Sequence, residues 1–196
     1  MRASGQMTRY DSVAMTLHWM IAFLILLDFA LAQSFSRFNP GDTLYLASAY
    51  DLHMSTGASI LALSVVRVAW RLTHRRPPWP HMGPVLRGLA HSSHFLLYVF
   101  MLAAPLSGWL VLSLRHQATS VFGLFRWKWP TLPAIATMSH ADRQFWHDYA
   151  LPLHTRLSYL GMCLLVLHVA AALYHHFWRR DDVLRHMLPG TPAGAG

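Results

Sequence analysis

Four long apolar blocks, separated by polar and proline-rich stretches, dominate the chain. They run from about Val13 to Gln33, Tyr45 to Trp70, Gly88 to Leu114 and Ala150 to Trp178. Each reaches the roughly 20 apolar residues that a helix needs to cross a bilayer core. In lipid, only a helix satisfies the backbone of so long a run. The pattern predicts an all-α membrane protein, a four-helix transmembrane bundle of up-down-up-down order, with residues 1–196 forming a single domain. The tail TPAGAG, residues 191–196, reads as a flexible end. The polar start MRASGQMTRYDS leads straight into an apolar segment with no Ala-x-Ala-like site at its far end, which reads as a retained anchor.

Composition agrees. The chain is 54% hydrophobic and 12% charged, about half the charge of a soluble domain. The net charge of +8 raises the question of nucleic acid, but the basic residues gather beside the apolar blocks and no nucleic-acid motif is present. They read as topology signals and anchors to the lipid bilayer. Arg2, Arg9, Arg71, Arg75, Arg76, Arg87, Arg179, Arg180 and Arg185 fall on one side of a four-span chain. Arg37, Arg115, Arg126, Lys128 and Arg143 fall on the other. The positive-inside bias then puts both termini in the cytoplasm. The second outer loop, Arg115 to Asp148, is long, and its FRWKWPTLP segment reads as an interfacial anchor or as a lid over a site on that face. The inner segment THRRPPWPHMGP is too rich in proline to continue either neighbouring helix. The lone Cys163 rules out an intramolecular disulfide and Cys-ligated zinc or iron–sulfur centres, and reads as a small buried hydrophobe.

Candidate chemistry lies in the histidines. There are fourteen; His74, His81, His116, His140 and His186 fall in loops or the tail, where solvation is the default. His18, His53, His154 and His168 fall inside the apolar blocks, where ionisable groups are rare and usually functional. His147, His154, His168 and His175 share a seven-residue register, which drifts only about 20° per heptad and so keeps them on one helix face. The fourteen residues between His154 and His168 span about 21 Å. By height, His53 pairs with His154 near the outer end and His18 with His168 deeper in. A six-coordinate haem iron takes a neutral imidazole on each side and passes single electrons. A closed zinc site wants four ligands at one height. Packed histidines or a proton relay would instead make the chain a haem-free transporter or channel; four rings at two matched heights favour haem. His91 and His94 read as interfacial rings bonded to propionates, backbone or water, and Asp28 as a carboxylate close enough to the interface to hydrate. Gly57, one turn from His53, allows close approach of a macrocycle or a helix. Arg67 and Arg71 suit propionates or snorkelling.

LHW at His18, LHMSTG at His53, GLAHSSH at Gly88–His94 and LHTRLSYLGMCLLVLHVAAALYHHFW at Leu153–Trp178 together resemble the bacterial cytochrome b561 family, over nearly the whole chain. The resemblance implies two haem b groups, one held axially by His18 and His168 and the other by His53 and His154. It implies a quinone site at His175 near the inner haem, a place in the bacterial inner membrane, and electron transfer to ubiquinone. The family includes a superoxide-oxidising member, so the implied donor is superoxide or another small outer-face donor. Arg115, Arg126, Lys128, Arg143 and Arg156 outnumber Asp142 and Asp148 there, and such a rim attracts a small anion or, alternatively, lipid headgroups. The competing function is that of a cytochrome b anchor, the electron-transfer subunit of a larger hydrogenase- or dehydrogenase-type complex. One departure concerns the fourth helix, where relatives often have Trp-His followed by an acidic residue. Here Trp146–His147–Asp148 precedes Leu153–His154–Thr155 by a heptad. The fourteen-residue spacing, and Pro152 as a first-turn residue, select His154 over His147.

Overall fold

The computed structural model describes residues 9–35, 43–75, 77, 83–115, 119–122, 124–127 and 130–188, with backbone alone for 43–48, 119, 120 and 125–127. Arg2, Arg37, Arg76, His81, His116, Lys128, the Arg126 side chain and the tail 191–196 lie outside the described residues. Four helices carry the fold: α1 (Ser12–Ser34), α2 (Thr43–Thr73), α3 (Pro84–Arg115) and α5 (His140–Tyr174). All four are long and apolar enough to cross a membrane. Between α3 and α5 lie an antiparallel ribbon of β1 (Thr119–Val121) and β2 (Phe125–Trp127) and the short α4 (Pro133–Ala136). The apolar pattern did not anticipate the ribbon.

Local chemistry sets the helix ends. Asp11 caps α1 by accepting from the Ala14 N–H at 2.9 Å, satisfying a donor that the first helical turn leaves free. Ser139 caps α5, accepting from the Asp142 N–H at 3.1 Å while its hydroxyl donates to the Asp142 carboxylate at 2.7 Å. That cap corrects the expected start of the fourth helix from Ala150 to His140. Polar residues of the first three turns hid the start from an apolar count. Pro152 therefore sits inside α5 rather than in its first turn, and its support for choosing His154 falls away. Beyond α5 the axis continues through a single π turn, His175–Arg179, and stops where Arg180 takes a left-handed φ of 53°.

The packing is uneven. α1 lies along α2, α3 along α5, and α2 touches α3. α1 and α5 scarcely approach through their backbones; they meet through side chains, such as Gln33 and Tyr159 at 3.1 Å. Val111, Leu114, Ile135 and Ala150 make a small buried cluster where α3, α4 and α5 converge. Outward faces carry Phe23, Leu26, Val65, Val66, Phe95, Val166 and Leu167 exposed, the surface a bilayer covers. Cys163, expected as a buried hydrophobe, is exposed on α5.

Both ends are tied. At the end holding the described termini, the Tyr10 N–H donates to the His186 carbonyl at 3.3 Å, the Trp19 indole to Met187 O at 2.7 Å, and Arg9 to Leu188 O. The Trp70 indole reaches both Asp11 oxygens at 3.1 Å. At the opposite end, Trp109 donates to Pro130 O at 2.9 Å, and the Phe122 N–H, at a ribbon corner with φ 49°, to Ser55 Oγ at 2.9 Å. The second outer loop thus folds back on α2 two residues from His53.

Candidate functional site: two histidine pairs between the helices

Four intramembrane histidines come together in two pairs. Toward the ribbon end, His53 of α2 faces His154 of α5 with ring centroids 6.1 Å apart and planes at 65°. Toward the terminal end, His18 of α1 faces His168 of α5 at 6.3 Å and 66°. A first-row metal–imidazole bond is about 2.0–2.1 Å and a ring nitrogen lies about 1.1 Å from its centroid, so two collinear imidazoles on one metal have centroids roughly 6.2–6.4 Å apart. The His18–His168 pair falls within that range and the His53–His154 pair about 0.1 Å below its lower end. Among the described residues, no three His, Cys, Asp or Glu side chains converge as a closed zinc site needs.

The surroundings of the two pairs differ. His154 Nδ1 lies 3.1 Å from the Ala104 carbonyl and 2.9 Å from Ser107 Oγ. The carbonyl requires a proton on Nδ1, which leaves the Nε2 lone pair free. α3 makes room with Gly108: a Cβ there would stand 3.2 Å from His154 Cε1. His53 Nδ1 lies 2.9 Å from Asp28 Oδ1. Both atoms are buried, and neither makes a well-aligned hydrogen bond among the described residues, so the contact between them is electrostatic. A carboxylate oxygen and a bare ring nitrogen would repel at that distance, so this proton also sits on Nδ1. Gly57 lies beside this contact, and a Cβ there would meet Asp28 Oδ2 at an ordinary 4.0 Å. Asp28 is therefore not a hydrated interfacial carboxylate, as expected, but a partner of His53. Metal-bound histidines characteristically hold their second nitrogen in this way.

His18 meets a cation instead. Arg67 places one nitrogen 3.2 Å from His18 Nδ1 and donates with the other to Ala14 O at 3.0 Å. A third ring, His94, stands 5.4 Å from His168 at 87°, closer than a shared metal would set it. Its Nδ1 is 2.6 Å from its own helix's Ala90 carbonyl, and His91 makes the same kind of contact to Arg87 O at 2.8 Å. His147 accepts from Arg115 Nε at 2.9 Å. His175, which opens the π turn, is held through Nδ1 by Asp181 at 2.5 Å. Sequence reasoning passed over Asp181, although an acidic residue six positions past a helix-end histidine is in reach once the helix turns back.

A four-span helical membrane protein with stacked bis-histidine pairs has the frame of a membrane cytochrome. Residues 9–190 match the family model for prokaryotic cytochrome b561. The chain is 34% identical to cytochrome b561 homolog 2 of Escherichia coli (strain K12), covering 96% of this chain and 95% of that protein. It is 27% identical to the probable superoxide oxidase CybB of Yersinia pestis, covering 92% and 96%, and 23% identical to cytochrome b561 homolog 1 of E. coli, covering 93% and 98%. The chain belongs to the prokaryotic cytochrome b561 family. It is a multi-pass bacterial membrane protein of electron transfer, from a family that binds b-type haem.

Proposed function

We propose that the protein oxidises superoxide at the periplasmic face of the inner membrane and passes the electrons through two haem b groups to ubiquinone. The observation that carries this reading is the pair of imidazole spacings, 6.1 and 6.3 Å, each suited to one metal between two rings. His53 and His154 hold the outer haem, and His18 and His168 the inner one. Bound there, haem b would supply one-electron transfer. The basic residues beside the terminal end support a cytoplasmic location for both termini, and the family match supports the bacterial membrane.

Two superoxide anions give up one electron each and leave as dioxygen; one quinone gains two electrons and two protons. His53 and His154 would hold the haem that accepts the electron from superoxide on this side. The naming of the Yersinia relative as a probable superoxide oxidase supports this donor. By sequence, Arg115, Arg126, Lys128, Arg143 and Arg156 give this side of the chain an excess of positive charge, which would draw the anion in. His175, seven residues and about 10 Å beyond His168, binds a quinone carbonyl. Asp181, 2.5 Å from its Nδ1, lets the ring hold and release a proton.

The test is reduction of the purified protein by a defined superoxide source. Two low-spin b-type haems per chain should be present and become reduced quickly. The rate should fall with ionic strength and when Arg126 and Lys128 are neutralised. A colourless protein, after expression with ample haem, refutes the whole reading. Two haems that superoxide does not reduce refute the donor alone. Activity after isolation in mild detergent without a second subunit separates this enzyme from an anchor subunit.

A further inference from the structure

α1 and α2 serve one another's histidines. α1 carries His18 for the terminal-end pair and, ten residues on, Asp28 against His53 of α2. α2 carries His53 for the ribbon-end pair and, fourteen residues on, Arg67 against His18 of α1. Each helix thus contributes one ring to one level and one full charge to the ring at the other level, and the charges are opposite in sign.

The geometry points to Asp28 and Arg67 as positioning residues that set the direction of electron flow: Asp28 lowers the reduction potential of the ribbon-end haem and Arg67 raises that of the terminal-end haem. The inference rests on the two-haem reading above. A metal centre gains an electron on reduction, so a nearby anion opposes that step and a nearby cation favours it. Both charges act inside a low-dielectric span, where Coulomb interactions are strong and salt screens them little. Asp28 acts through its charge, 2.9 Å from His53 Nδ1. His154, on the other side of that site, has neutral neighbours, Ala104 O and Ser107. The charge at this level therefore comes from Asp28.

Arg67 is fixed independently of the ring. Its bond to Ala14 O holds the guanidinium beside His18. An arginine N–H donates only to a bare nitrogen, so when His18 binds metal through Nε2 and carries its proton on Nδ1, that one contact is given up. The Ala14 tether and the charge remain. An electron entering at the ribbon end then runs downhill to the terminal end, toward His175.

Spectroelectrochemical titration of the purified dihaem protein tests this. Wild type should titrate in two steps. Asp28→Asn should raise the lower step alone, shifting its one-electron constant three- to tenfold, tenfold being 59 mV, and Asp28→Glu should restore most of the gap. Arg67→Gln should lower the higher step alone by a similar factor, and Arg67→Lys should keep it. If Asp28→Asn sheds its haem, the Arg67→Gln titration decides through the step that remains. Two haems per chain with potentials unmoved in these variants, or moved in the opposite sense, overturn the inference and leave the dihaem reading intact. Fewer than two haems in wild type overturns both.

Discussion

The two histidine pairs share a spacing and differ in almost everything around it. At the ribbon end, each ring has its second nitrogen next to an acceptor: Asp28 for His53, the Ala104 carbonyl for His154. Gly108 clears the space that His154 needs, and a loop bonds down onto Ser55 close by. At the terminal end, His18 faces Arg67 and His168 faces an additional ring, His94. The chain folds back there through a π turn and a short C-terminal segment. Equal spacing with unequal surroundings teaches that ligand geometry and ligand tuning are separable. A helix register repeats the first, while the second needs charged partners on neighbouring helices.

Removing a ring gives the largest effect. His53→Ala or His154→Ala should abolish the ribbon-end haem and spare the other, and His18→Ala or His168→Ala should do the reverse, read as haem per chain and as loss of one set of absorption bands. His147→Ala and His94→Ala should keep both haems. Haem loss in His147→Ala with retention in His154→Ala would move the ribbon-end pair up by one heptad.

Gly108→Val should behave as a milder His154 variant. Its side chain meets the ring already 3.2 Å from the built Cβ, so the ribbon-end haem should be lost or high-spin while the terminal-end spectrum is unchanged. Damage to both haems would mean that the substitution disturbs the bundle rather than one pocket. Gly161→Ala supplies that contrast: its Cβ would stand 1.9 Å from the Phe100 ring where α3 packs on α5. It should destabilise the whole bundle by about 1–3 kcal/mol, the usual cost of overpacking.

His175→Gln touches neither pair directly. Both spectra should persist while quinone reduction falls about tenfold or more, the loss expected when one general acid–base group is removed. Unchanged quinone turnover would detach His175 from the acceptor site.

The smallest effect concerns the joint that steadies the terminal end. Burial pushes the Asp11 carboxyl up, but the Ala14 N–H and the Trp70 indole, with His74 nearby, outweigh it and hold the group below its usual value. A carboxylate lowered in this way contributes stability above its ordinary range near pH 4, and that contribution is lost as pH falls through the lowered value. Thermal unfolding in detergent should show wild type losing its advantage over Asp11→Asn on acidification. At neutral pH Asp11→Ala should cost about 1 kcal/mol, the worth of a helix cap. A constant difference from pH 7 to pH 3 would show that the cap acts without its charge.

Much of this arrangement was legible in the chain. Apolar block lengths predicted four spans, and heights along them predicted which rings meet, because both follow from rise per residue on a single helix. Contacts between helices were not legible. Asp28 read as an interfacial carboxylate because nothing along α1 indicates that His53 stands opposite. Gly57 drew notice as a place of close approach, yet the tight glycine is Gly108, against the His154 ring. The start of α5 was hidden because its first turns are polar, although Ser139 and Asp142 carry a cap signal that an apolar count ignores. Pro152 pointed to a first turn and lies in mid-helix, where neighbouring helices make such a residue tolerable.

Since α1 and α5 meet mainly at side-chain tips, the two-haem proposal makes prosthetic-group supply a control on how much of the protein a cell keeps. α1 lies on α2 and α3 on α5, and under the two-haem proposal a haem bridging His18 to His168 would latch the side where α1 and α5 meet. Each tenfold rise of free ligand above its dissociation constant adds about 1.4 kcal/mol to the closed form, and membrane proteases remove open forms. Cells starved of iron should therefore contain fewer copies, not the same number of inactive ones. Immunoblots with and without a porphyrin precursor, compared between wild type and His168→Ala, would show whether abundance follows the latch.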